Sequence, residues 1–87
     1  MMLWPFSVEA KLFRQIANYN HLYEAVDYLS DNPEYIHIRH PATGDTLLHH
    51  HTRHIRIFYY PEYLIDLGIN PEEKNNRGET ALMLAVD

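Results

Sequence analysis

The chain has 87 residues, a formal net charge of −5, 46% hydrophobic and 22% charged residues. That length holds one domain, that balance is globular rather than disordered, and that sign disfavours nucleic acid and anionic membrane as general partners. Cysteine is absent, so disulfides and thiolate zinc sites are excluded. No apolar run approaches the roughly 18–20 residues of a membrane span, and MMLWPFSVEAK has neither the basic start nor the long apolar stretch of a secretory leader. The expectation is an intracellular, cytoplasmic protein with no membrane partner.

The apolar pattern between turn signals has helical spacing. Ser7 reads as the N-cap of a first helix carrying Val8, Leu12, Phe13 and Ile16, with Trp4 and Phe6 covering the open end ahead of it. Leu22, Ala25, Val26 and Leu29 form a second stripe, closed by Ser30, Asp31, Asn32 and Pro33. A third helix is predicted from about Thr46, with Leu47 and Leu48 inward and fraying before His54. A fourth runs from about Tyr60 to Leu67, with Pro61 in its first turn and Gly68 at its stop. A fifth starts near Thr80. The segments around Ile36–Arg39 and Glu72–Gly78 read as extended or turn connections, and the class is all-α.

Two of these starts repeat. GDTLLHHH at Gly44–His51 and GETALMLA at Gly78–Ala85 share Gly, an acid, Thr, an apolar residue and Leu, 34 residues apart. A period of 20–50 residues marks a solenoid whose units bury their faces on each other. Here the chain resembles the ankyrin repeat, whose usual period is 33 and whose signature is T-P-L-H-x-A. Thr46, Leu48 and His49 match one copy of that signature, and Thr80, Leu82 and Ala85 match another. LGIN at Leu67–Asn70 is similar to the family's helix exit, and IANYNHLYEAVDYL at Ile16–Leu29 to its inter-helix phrase. The resemblance covers about residues 11 to 87 and implies an ankyrin-like solenoid of stacked antiparallel helix pairs joined by turns. Residues 1–40 would form the N-terminal cap and first pair, 41–74 a second repeat, and 75–87 a partial third. Three departures stand out. Pro41 replaces the usual Asp or Asn, His51 replaces a small residue, and the connection from Thr52 to Pro61 lacks the usual Gly. They imply a middle unit that is splayed or has a shortened outer helix.

The resemblance also implies a function, binding of a partner protein through the concave turn-tip and inner-helix face. Carried over by position, that face comprises Asn18 and Tyr19, Ala42, Thr43 and Asp45, Arg53 and His54, and Asn76, Arg77 and Glu79. It implies as well that His49 bonds Thr and backbone groups of the adjoining turn. A histidine-based metal or proton sensor is a competing reading. His50 and His54 are four apart on one helical face, at positions expected to be exposed, with His37, His40 or Asp45 as further ligands. Protonating all seven histidines would carry the formal charge from −5 to +2. His51 reads as a packing compromise. The only serines, Ser7 and Ser30, sit at helix termini, and no phosphate loop or nucleophile motif occurs, so neither enzyme nor cofactor is expected. Leu82, Leu84 and Val86 lack a following helix, which leaves a third reading: an element of a longer array, or a homo-oligomer joined through the C-terminal face.

Overall fold

Ser7 opens helix α1, Val8–Ile16, in a computed structural model that describes residues 7–55 and 61–85. Its hydroxyl accepts the Ala10 N–H at 3.1 Å, a cap contributing about 1 kcal/mol. Glu9 in the first turn and Arg14 in the last complement the helix dipole. The stripe Ala10, Leu12, Phe13 and Ile16 is buried, as the helical spacing requires. Asn18 then accepts the Asn20 N–H at 2.9 Å in a tight polar turn, and α2, Leu22–Asp31, runs back against α1. Asn32 stops α2: its backbone and side-chain N–H groups both donate to the Tyr28 carbonyl, at 2.8 and 2.9 Å, and Pro33 starts a short 3₁₀ turn, Pro33–Tyr35.

Helix α3, Leu47–Ile55, lies against α1 on one side and α5, Ala81–Ala85, on the other, so these three helices form a series. Helix α3 does not fray before His54. It continues through it to Ile55, with Arg53 and His54 in the last turn, where positive charge suits a helix terminus. The fourth helix, α4, is a single turn, Glu62–Ile65, rather than a run to Leu67. Pro61, at φ −77 and ψ 78, is not helical and sets a late start, and a turn through Asp66 leads into Gly68 at φ 108. Leu64 still reaches the core from this short element.

That core joins Leu12, Phe13 and Ile16 of α1, Leu22, Ala25 and Leu29 of α2, and Leu47 and Leu48 of α3 with Ile36, Leu64, Ile69 and Ala81. Each fully buried Leu contributes roughly 1.5–3 kcal/mol, which makes this cluster the main drive to fold. The radius of gyration, 12.0 Å, matches the roughly 12 Å of a compact chain of this length. The described residues are helices and turns without a strand, and none of the helices is long and apolar enough to cross a membrane. Trp4, Phe6, Tyr60 and Val86, which carry sequence expectations, lie outside the described residues.

Candidate binding groove

Two turns, one before α3 and one before α5, carry the polar residues that the sequence singles out. Each closes on itself through its backbone. His40 N–H donates to the Asp45 carbonyl and Gly44 N–H to the His40 carbonyl, both at 2.8 Å. Asn75 N–H donates to the Glu79 carbonyl at 2.9 Å and Gly78 N–H to the Asn75 carbonyl at 3.0 Å. The first turn encloses one residue more. Gly44 and Gly78 occupy the left-handed region, at φ 73 and 76. At Gly44 glycine is required twice over, because an added Cβ would lie 2.3 Å from the Asn76 side-chain oxygen.

The turns are also tied to each other. Asn76 N–H donates to the Thr43 carbonyl at 2.9 Å. Arg39 donates to the Gly44 carbonyl at 3.0 Å and the Lys74 carbonyl at 2.7 Å, and its guanidinium pairs with Glu73. Beneath them, Asp45 is 2% exposed and accepts from Arg53 Nε at 2.9 Å and Asn75 Nδ2 at 2.8 Å. Burial alone would push the Asp45 carboxyl up; the bonds from Arg53 and Asn75 and the Arg53 charge outweigh it and hold it below the usual value. Asn75 also donates to Glu79 at 2.9 Å and accepts the Arg77 and Glu79 N–H groups at 3.0 and 2.9 Å. Arg53 reaches Glu79 at 3.4 Å.

The four histidines of α3 have four different environments. His49, 1% exposed, accepts at Nδ1 from the Thr46 backbone N–H at 3.1 Å and the Thr46 hydroxyl at 2.8 Å. Its proton is therefore on Nε2, which donates to the Glu79 carbonyl at 2.7 Å and joins the two turn units. His51, 2% exposed, donates from Nδ1 to the Ile16 carbonyl and accepts the Tyr63 hydroxyl at Nε2, both at 2.9 Å. It is a bonded tie between α1, α3 and α4. Burial lowers its pKa, opposed in part by the Ile16 bond. His50 is half-buried rather than exposed, its ring edge-on to Phe13 at 5.2 Å and 4.4 Å from His54. Burial, then the neighbouring His54 and His40, pushes its pKa down to about 4. His54 alone is exposed.

Between the tips and α3 lies a groove of about 560 Å³. It brings together Ala42, Thr43, Asp45, Arg53, His54, Asn76 and Arg77 of the sequence-derived set. Asp45 forms its floor, held from below, instead of projecting from the tip; Glu79 is half-buried behind Arg53 and Asn75. Asn18 and Tyr19 are exposed but sit in the α1–α2 turn, outside this groove. His40, His50 and Asn75 also line it, and sequence reasoning had not assigned them to it. Only Asn75 carried a usable signal: Asn three residues before Gly in a polar stretch favours a side-chain-closed turn. Among the described residues, no three His, Asp or Glu side chains gather to hold a metal ion. Comparison of the chain with protein-family models, curated proteins and solved structures finds no match.

Proposed function

We propose that the chain is a short ankyrin-like repeat module that binds another protein through the groove between its turn tips and α3, and that it is not an enzyme. The observation that carries this reading is one turn-and-helix unit repeated at an offset of 34 residues. Gly44 and Gly78 share a positive φ, Thr46 and Thr80 directly precede α3 and α5, and His49 bonds across the join to Glu79. Units stacked in this way set polar tips side by side, and such a row offers a peptide or protein surface, not a closed pocket for a small molecule. The groove floor is already satisfied by internal bonds, so a partner meets a preformed surface and ordering it costs little. A photoreactive residue in place of exposed Ala42 should give discrete protein adducts in cells, while one in place of exposed Asp27 on α2 should give none. Equal labelling from both sites, or none from Ala42, would overturn the reading.

A second reading, association of copies through α5, is favoured by Leu82 and Met83, each 55% exposed. The same positions one unit earlier, Leu48 and His49, are each 1% exposed, covered by the following unit. Sedimentation should then show concentration-dependent association that Leu82→Glu abolishes; a monomer at every concentration rules it out.

A further inference from the structure

The series α1, α3, α5 ends differently on its two sides. The face of α1 that α2 and α3 leave open carries exposed Lys11, Arg14 and Asn18. At the other end α5 has no charged side chain, and its Leu82 and Met83 are each 55% exposed. Among the described residues the other exposed large apolar side chains are tyrosines, which carry a polar hydroxyl. The repeat shows what such a face receives. Leu48 and His49, at the same places in the preceding unit, are covered by α5 and its turn. One contact changes at α5. His49 donates from Nε2 to the Glu79 carbonyl of the following unit, whereas the Met83 side chain in its place has no N–H to give. The bonds within the unit remain. The Met83 N–H donates to the Thr80 hydroxyl at 3.3 Å, as the His49 N–H does to Thr46, and the Thr80 N–H reaches the Met83 sulfur at 3.5 Å. A further turn docked on α5 would therefore lack the bond that joins the first two.

We propose that α5 takes a second copy of this chain, α5 against α5 about a two-fold axis, in a closed pair and not a head-to-tail filament. The proposal rests on the association through α5 described above and names its mate. In a head-to-tail stack the α5 face of one copy would lie on the open face of α1 in the next. Leu82 and Met83 would then strip water from Lys11 and Arg14, and α5 has no acid to pair with them. Across a two-fold axis each element meets itself, so a charged face repels its own copy and an uncharged face does not. The run Ala-Leu-Met-Leu-Ala of α5 meets that condition. The flexible thioether of Met83 adapts its shape to an opposing Leu or Met. The contact is small. A helix of 5 residues is about 7.5 Å long, so the pair stays below the roughly 1,200 Å² of a standard interface and is weak and reversible. None of the residues that line the groove belongs to α5, so each copy keeps its groove open and the pair carries two. A partner with two recognition segments would be held by both at once.

The test uses the full chain and places charge at position 82, which is exposed in the single copy. Sedimentation equilibrium from about 5 to about 500 µM should show wild type passing from monomer to dimer and no further. L82E and L82K should each weaken pairing by at least about tenfold, and an equimolar mixture of the two should restore it, because opposite charges then meet. Head-to-tail stacking requires a different result: L82E would face Lys11 and Arg14 and associate more tightly than wild type. The chain has no cysteine, so M83C supplies a single thiol. Oxidised at high concentration, it should give a covalent dimer. An equal mixture of M83C and K11C should give the M83C dimer without the mixed product. Circular dichroism checks that each variant keeps its helices. Tighter association of L82E, a charge-mixed pair that stays monomeric, a dominant M83C–K11C product, or growth past the dimer would each overturn the two-fold pairing and leave association through α5 standing. A wild-type monomer at every concentration removes both.

Discussion

Replacing His49 by alanine removes three bonds at once, two from Thr46 and one to the Glu79 carbonyl. Because these partners are buried or half-buried, the expected loss is about 2–3 kcal/mol, read from the urea midpoint, whereas His54→Ala at the exposed end of α3 should move it by less than about 0.5 kcal/mol. Equal effects would mean that the join between units does not depend on His49. The two turn glycines separate backbone strain from crowding. Both sit at positive φ, but an added methyl meets open space at Gly78 and Asn76 at Gly44. Gly78→Ala should therefore cost about 1 kcal/mol and Gly44→Ala about 2 kcal/mol or more. The double variant Gly44→Ala/Asn76→Ala should regain part of the difference; no recovery would remove crowding as the cause. At this scale much was legible in the sequence. The Ser7 cap and the paired Gly-acid-Thr runs depend on residues within four positions of one another, and such local signals survive folding.

Short elements follow different rules from long ones. Helix α4 has a single turn and cannot be stable by itself, so it must be held by what it touches. Leu64 anchors it in the core and Tyr63 anchors it to His51. Tyr63→Phe leaves the ring and removes only the hydroxyl donor, so a cost of about 1 kcal/mol is expected in chemical denaturation. Tyr23→Phe, at 69% exposure, is the control and should have no measurable effect. If both are neutral, the His51 tie contributes nothing to the docking of α4. In the sequence, Pro41, His51 and the Gly-less connection from Thr52 to Pro61 pointed to a middle unit that is either splayed or short in its outer helix, and α4 has a single turn. The sequence could not indicate where α3 would end. Near that end Arg53 pairs with Asp45 and Glu79, contacts that tertiary packing sets.

Taken as a whole, the molecule is built to lose stability in acid. The pKa of His50 is pushed down to about 4 from 6.5, and that of His51 is also lowered by burial. Between those limits the unfolded chain binds protons that the folded chain refuses, so stability falls as pH drops from 6.5 to about 4. For half-buried His50 that loss is about 2 kcal/mol after allowance for solvent screening. Asp45 acts lower still. Its folded value lies below 3.8, so the stability it contributes persists above that pH and is lost as pH falls further. Urea midpoints near pH 7.5, 5.5 and 4 should decline in order, and His50→Phe should flatten the upper part of the decline; a constant midpoint would contradict the burial of these rings. The groove was only half legible from sequence. Thr43, Asn76 and Arg77 follow from the repeat, but Asn75 and Arg39 act through partners roughly thirty to thirty-five positions away, and no local pattern encodes that pairing. The bond from the Asn76 amide to the Thr43 carbonyl has a further consequence. Hydrogen–deuterium exchange at that one amide requires the two tips to part. Compared with exchange at the core amide of Ile16, its rate tells whether the seam breathes locally or opens only when the whole domain unfolds. A partner lying across both tips should slow that exchange without touching the amide.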